Sequence, residues 1–141
     1  MHAKKKLIVG CAVFNIVVGG LGAFAGGVLV LMTAAMGSPG EAVVAVPLLV
    51  GGLMYAGAGA CLLLPNQRAW VIGMALQGAA ILLGILWAAY CVFAFQRDGA
   101  RIDPHDEEIM MFVILPAVCV LVAIAELGLL WRLRPRADSQ P

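Results

Sequence analysis

Four long apolar runs, separated by short polar stretches, constrain this chain more than any other feature of its sequence. The runs cover residues 7–31, 39–64, 69–95 and 106–131. Each is long enough to cross a hydrocarbon core of about 30 Å, which takes about 20 helical residues. Because lipid offers the backbone no hydrogen-bond partners, each crossing segment must satisfy its own backbone hydrogen bonds, which favours helices over strands. We therefore expect an all-α membrane protein, a single domain whose four transmembrane helices form an antiparallel bundle.

The composition excludes an ordinary soluble domain. Of the 141 residues, 63% are hydrophobic and 12% are charged, whereas soluble domains are about 45–50% apolar and about 25% charged. A compact soluble protein of this length cannot bury that much apolar surface. The net charge is only +1, and no basic stretch is interleaved with aromatic residues. The lipid bilayer is therefore the expected environment, and no nucleic-acid partner is expected.

The polar connections carry helix-boundary motifs. Ser38 is placed to cap a helix that has Pro39 at its first position, and Glu41 completes a capping box. At the end of the second run, Pro65 disfavours a helical residue before it. Asn66 follows and is a good cap for the third helix. The second and third helices are therefore expected to form a tight hairpin.

The distribution of basic residues predicts the orientation. Arg97 and Arg101 are the only basic residues on one side of a four-span arrangement, and the other side has seven: Lys4, Lys5, Lys6, Arg68, Arg132, Arg134 and Arg136. By the positive-inside rule both termini are cytoplasmic, and residues 132–141 form a short basic cytoplasmic tail. Trp70 and Trp131 then fall near the inner interface, where aromatic belts occur.

Two processing signals compete with this arrangement. Residues 8–11 match a bacterial lipobox ending at Cys11, and residues 23–25 resemble a signal-peptidase site. The apolar run before Cys11 is too short for a signal peptide, and a cut after residue 25 leaves another apolar run at the new terminus. We expect an unmodified Cys11 and an uncleaved first helix.

Residues 56–86 read AGAGACLLLPNQRAWVIGMALQGAAILLGIL, with a run of leucines before a basic turn that holds Arg68, Ala69 and Trp70. This stretch resembles small four-span bacterial inner-membrane proteins that have no assigned activity. The resemblance implies a location in a bacterial inner (plasma) membrane and implies no particular reaction.

Small residues recur at helical spacing and predict packing faces. Glycine faces allow membrane helices to approach closely. In the first helix the face also includes Cys11 and Asn15, and in the fourth helix Cys119 and Ala123 share a face with Glu126. The predicted packing glycines are Gly19, Gly22 and Gly26 in the first helix and Gly73 and Gly84 in the third, with Gly22 and Gly26 forming a GxxxG pair.

Four polar residues fall within the cytoplasmic halves of the spans: Asn15, Tyr55, Gln77 and Glu126. At 1.5 Å per residue they lie roughly 8–14 Å from the cytoplasmic helix ends, within one layer. We expect this polar layer to face the bundle interior, with Asn15 and Gln77 close enough for a direct hydrogen bond. Glu126 is the candidate functional residue, because a charge in the membrane is costly and intramembrane acids commonly mark ion or substrate pathways. The alternatives are a side chain that reaches the interface, or a pair with an arginine of a neighbouring chain.

The loop before the fourth run is acidic. Its weak candidates for a metal site are Asp103, His105, Asp106 and Glu108. The alternative is a solvated loop whose acids favour the start of a helix. Neither histidine lies within a span and the cysteines form no CxxC pair, so no haem, zinc site or other cofactor is expected.

The function predicted from the sequence is that of a non-enzymatic accessory or assembly subunit. The chain shows no arrangement of nucleophile, base and orienting residue, and almost all of its surface lies in the bilayer. A homo-oligomer or a larger membrane-protein partner is expected. The alternative is a small transporter or channel that uses the polar layer around Glu126.

Overall fold

The computed structural model of the chain describes residues 2–36, 39–97 and 114–133, and the regular structure in these ranges is helical. Helix α1 spans His2–Met36, α2 spans Pro39–Leu63, α3 spans Gln67–Arg97 and α4 spans Leu115–Leu133. The predicted start of the last helix near residue 106 lies outside the described residues.

Three of the helices contain segments that are long and apolar enough to cross a membrane. These segments are Lys4–Met36, Ala45–Leu63 and Gln67–Ala94. Large apolar side chains point outward along them, among them Leu21, Phe24 and Leu31. The prediction of helices is confirmed for the described residues, and three of these helices have the length and composition that crossing a membrane requires.

The turn between α2 and α3 follows the predicted chemistry. After α2 ends at Leu63, the Leu64 amide donates to the Cys61 carbonyl at 3.2 Å. The Asn66 side chain accepts a hydrogen bond from the Arg68 amide at 2.9 Å, which caps the first turn of α3. The prediction that Asn66 caps this helix is confirmed, whereas Ser38 lies outside the described residues.

The four helices contact one another in a cycle. Helix α1 packs against α2, α2 against α3, α3 against α4, and α4 against α1. The α1–α2 interface is the most extensive and the α1–α4 interface the least. Within the described residues, the diagonal pairs α1/α3 and α2/α4 have no Cα atoms within 8 Å of each other.

Glycines bring the backbones of α1 and α2 into direct contact. A Cβ atom on Gly19 would overlap the backbone of Ala56, and one on Gly26 would overlap the backbone of Leu49. Gly22 is less crowded, because its Cβ would lie 3.6 Å from the Gly52 Cα, an ordinary contact distance. The tightest pair in α1 is therefore Gly19 and Gly26, seven residues apart, and the predicted GxxxG pair of Gly22 and Gly26 is not the closest.

Two glycines of α2 belong to the same interface and were not singled out from the sequence. A Cβ on Gly52 would overlap the backbone of α1 around Gly19 and Ala23, and one on Gly59 would lie 2.5 Å from the Ala12 carbonyl oxygen. Both helices therefore contribute glycines to one seam, and at the most crowded of these glycines even a Cβ atom would overlap the partner helix.

The predicted glycines of α3 make looser contacts. A Cβ on Gly73 would lie 3.1 Å from the Ala58 carbonyl oxygen of α2. One on Gly84 would lie 2.7 Å from Cγ2 of Val120 in α4, the end of a side chain. Gly73 thus faces α2 and Gly84 faces α4, which places α3 between these two helices.

An apolar cluster joins all four helices near the end where α2 stops and α3 starts. Its buried members come one from each helix: Ala12, Leu62, Trp70 and Leu130. The Trp70 side chain is only 7% exposed, whereas Trp131 is 65% exposed. Trp70 therefore packs in the core at this end of the helices, and its predicted depth near the inner interface stays a prediction.

Candidate functional site

Each helix contributes one polar side chain to a common cluster. Asn15 of α1 and Gln77 of α3 are fully buried, and Glu126 of α4 is 9% exposed. Tyr55 of α2 is half-buried. We call these four residues the Glu126 cluster, and they are the same four that form the polar layer in the sequence.

The Glu126 carboxyl is the common acceptor. The Tyr55 hydroxyl donates to its Oε2 at 2.5 Å, and the Gln77 Nε2 donates to the same oxygen at 3.1 Å. The neighbours of Asn15 decide between the two orientations of its side-chain amide. In one orientation the amide oxygen would face only hydrogen-bond acceptors, so the other orientation is the favourable one. In the favourable orientation the Asn15 nitrogen donates to Glu126 Oε1 at 3.0 Å and to Oε2 at 2.8 Å, and lies 3.1 Å from the Tyr55 hydroxyl.

The connection between Asn15 and Gln77 differs from the expected one. The two amides were expected to bond directly, but both donate to Glu126 instead. The physical reason is the order of the helix contacts, because the described parts of α1 and α3 do not touch each other and both pack against α2 and α4. A side chain of α4 is needed to bridge them.

Apolar residues bound the cluster on both sides along the bundle axis. The layer formed by Ala12, Leu62, Trp70 and Leu130 lies toward the chain termini. Toward the other end, Ile81 is buried one turn beyond Gln77, and Ala123 is buried one turn before Glu126. The Glu126 side chain is thus buried and hydrogen-bonded to neighbouring helices.

An open groove of about 390 Å³ between α1 and α4 leads to Glu126 from the side. Its walls consist of Gly10, Cys11 and Phe14 of α1 and Val122, Ala125, Glu126 and Leu129 of α4. Apart from the carboxyl and the Cys11 thiol, these groups are apolar. Except for Glu126 and Cys11, the wall residues were not anticipated from the sequence, because their common position depends on how α1 and α4 are rotated about their axes.

Two groups of the Glu126 cluster lack a complementary partner among the described residues: the Glu126 carboxyl has no positively charged donor, and the Gln77 side-chain oxygen has no donor. All the hydrogen-bond donors to Glu126 are neutral groups, and Arg132 is exposed rather than paired with it. The Gln77 Oε1 atom is buried and accepts no hydrogen bond from any described group. The cluster therefore offers acceptor capacity that a proton or a positively charged group would satisfy.

The other predicted site residues fall elsewhere. The candidate metal ligands Asp103, His105, Asp106 and Glu108 lie outside the described residues. Within residues 2–36, 39–97 and 114–133, no group of three His, Cys, Asp or Glu side chains is arranged to hold a metal ion. The four cysteines are free thiols.

Comparisons with protein-family models, with curated proteins and with solved structures give no match to this chain. The case for a function therefore rests on the geometry around Glu126.

Proposed function

We propose that this protein is a small, non-enzymatic membrane transporter that binds a proton or another single positive charge at Glu126. The observation that carries the proposal is the environment of the carboxyl. It is buried in a bundle of apolar helices, it accepts hydrogen bonds from α1, α2 and α3, and its described partners are all neutral.

The energetics favour a binding role over a purely structural one. A carboxylate in mid-membrane costs about 2.5–3.5 kcal/mol on insertion scales. Hydrogen bonds from Asn15, Tyr55 and Gln77 offset part of this cost. A neutral amide at position 126 would also join the helices, without the cost of a charge. An acid at this position is useful where the charge itself acts, by exchanging a proton or holding a cation.

The proposal includes an antiparallel four-span arrangement in a bacterial inner membrane, with both termini in the cytoplasm. Helix α4 is 19 residues long, and its average hydrophobicity falls within the range of the three helices that contain candidate spans. Lys4, Lys5 and Lys6 are exposed near the start of α1, and Arg68 and Arg132 are exposed at the start of α3 and the end of α4. This common location of basic residues supports a cytoplasmic assignment for that end.

Cysteine-accessibility labelling tests the orientation. A cysteine at position 100 should react with an impermeant reagent added to intact cells, and one at position 138 should react only after the cells are opened. The native cysteines are first replaced by alanine. Labelling of position 138 from outside contradicts the proposed orientation.

A pair of carbodiimides tests the role of Glu126. These reagents modify protonated carboxyl groups, and peptide mass spectrometry locates the product. In native membranes, a lipid-soluble dicyclohexyl reagent should modify Glu126, and a water-soluble, charged carbodiimide should not. Glu126→Gln provides the control for assigning the modified peptide. If neither reagent modifies Glu126 while the acids at the chain's polar loops react, the carboxyl does not exchange a proton and the proposal fails.

The second candidate function is the accessory or assembly subunit. It is favoured by the broad apolar surface of the described helices, which would be available to a homo-oligomer or a larger membrane-protein partner. Extraction in a gentle detergent, followed by mass measurement of the native particle, tests it. A stable complex that survives Glu126→Gln supports the subunit function and argues against a transporter centred on the carboxyl.

A further inference from the structure

We propose that the groove between α1 and α4 binds an amphipathic organic cation, with its positive charge at Glu126 and its apolar body along Phe14 and Val122. This inference rests on the proposed function and names the class of its ligand. The ligand would enter sideways from the bilayer rather than along the bundle axis from water.

The direction of entry follows from what surrounds the carboxyl. Toward the chain termini, the path along the bundle axis is filled by Leu62, Trp70 and Leu130, which are buried against one another. The groove lies on the lateral surface, where the Phe14 side chain is 46% exposed and Val122 is 45% exposed. In a bilayer such outward apolar surface faces lipid, so a ligand dissolved in the membrane meets the groove first.

The chemistry of the ligand follows from the groove's walls. A carboxyl among apolar groups complements a single positive charge attached to an apolar body. Phe14 adds an aromatic ring, which attracts organic cations through its face. A bare metal ion fits poorly, because Ca²⁺ needs six to eight oxygen ligands and Mg²⁺ holds its water shell tightly. The groove volume of about 390 Å³ falls within the range of about 300–1,000 Å³ for small-molecule sites.

Two glycines provide a matched pair of variants. Gly10 lines the groove, and a Cβ placed on it would meet no heavy atom within 4 Å. Gly128 of α4 is equally uncrowded and is not among the groove-lining residues. A Cβ atom at either position therefore disturbs no helix contact; Gly10→Leu adds a side chain at the groove wall, and Gly128→Leu adds the same side chain elsewhere.

The test measures equilibrium binding of radiolabelled benzyltriethylammonium to the full chain in lipid nanodiscs, with empty nanodiscs subtracted. We expect saturable binding by the parent and by Gly128→Leu. Affinity should fall at least tenfold in Gly10→Leu and in Glu126→Gln. Tetramethylammonium, which has the charge without the apolar body, should compete at least tenfold more weakly than the unlabelled probe. The neutral isostere of the probe, with carbon in place of nitrogen, should compete no better than tetramethylammonium.

Several outcomes overturn this inference. The inference is wrong if the parent shows no saturable binding. It is also wrong if Gly10→Leu binds the probe as the parent does, because the ligand would then lie outside the groove. Equal competition by tetramethylammonium would show that the apolar walls take no part. If Gly10→Leu instead converts an oligomer to monomers in a native mass measurement, a helix of another chain occupies the groove.

Failure of the ligand class and failure of the proposed function are distinguishable. Modification of Glu126 by the lipid-soluble carbodiimide, together with no binding of the organic cation, leaves a proton-exchanging carboxyl and removes only the ligand class. Absence of both results removes the proposed function as well.

Discussion

Helix α1 forms two interfaces of opposite character. Against α2 it is closed, because Gly19 and Gly26 let the two backbones touch. Against α4 it leaves a groove, with Gly10 and Phe14 on one wall and the largely buried Glu126 on the other. Glycine occurs at both interfaces, so the residue type alone does not determine which one closes.

The difference lies in what faces the glycines. Opposite Gly19 the partner helix carries Gly52 and Ala56, small residues that permit a close approach over several turns. On the α4 side, the groove wall carries the larger residues Val122, Glu126 and Leu129, and the α1–α4 interface is the least extensive of the four. A seam lined by small residues on both helices gives stability, and a seam with larger residues on one helix leaves room for a ligand.

The largest effect on stability is expected at the closed interface. Gly52→Leu must push α1 and α2 apart, because even a Cβ at this position overlaps the α1 backbone. Overpacking of this kind costs about 1–3 kcal/mol and sometimes more. Gly20→Leu is the matched control, since a Cβ there meets nothing within 4 Å. Thermal unfolding in one detergent should show a large loss for Gly52→Leu only; equal melting temperatures would mean that the α1–α2 interface is not closed.

The next effect is expected at Glu126. Glu126→Leu removes the shared acceptor and leaves the buried amides of Asn15 and Gln77 and the half-buried Tyr55 hydroxyl without it. An unsatisfied buried donor costs about 1–3 kcal/mol. Glu126→Gln keeps one acceptor oxygen and should unfold at a temperature between those of the parent and Glu126→Leu. If Glu126→Leu is as stable as the parent under the same conditions, the cluster does not hold the helices together.

Asn15→Ala should have a smaller effect, because Tyr55 and Gln77 still contact the carboxyl. Hydrogen bonds between membrane helices average about 0.6 kcal/mol and reach about 1.7 kcal/mol. In a double-mutant cycle with Glu126→Gln, the two changes should be less than additive. Full additivity would indicate that Asn15 and Glu126 do not interact.

The smallest effect is expected at the open interface. Gly10→Leu should change the free energy of unfolding by no more than about 0.5 kcal/mol, as for other substitutions away from packed sites. The same detergent measurement applies, with Gly128→Leu beside it. A loss comparable with that of Gly52→Leu would show that α1 and α4 close upon each other.

The sequence predicts the helices and the depth of the polar residues because both follow from counting along one helix. Apolar run length places Asn15, Gln77 and Glu126 in one layer, and the Asn66 cap is a local motif. Which side chains contact one another depends on the order of the helices and on their rotation about their axes. The pattern of apolar residues does not specify either, because lipid and protein core are equally apolar. For this reason the burial of Trp70, the α2 glycine Gly52 and the groove beside Gly10 were not predicted.

The central claim, that the Glu126 carboxyl in the bundle interior is the shared hydrogen-bond acceptor of the other helices, is open to a direct distance measurement. Solid-state NMR in lipid bilayers can measure dipolar coupling between ¹³C-labelled glutamate carboxyls and ¹⁵N-labelled glutamine side chains. The 3.1 Å separation of Gln77 Nε2 and Glu126 Oε2 places the nitrogen about 4 Å from the carboxyl carbon. We predict a coupling at that distance that disappears in Gln77→Leu. No coupling in the parent, or one that persists in Gln77→Leu, would contradict the account.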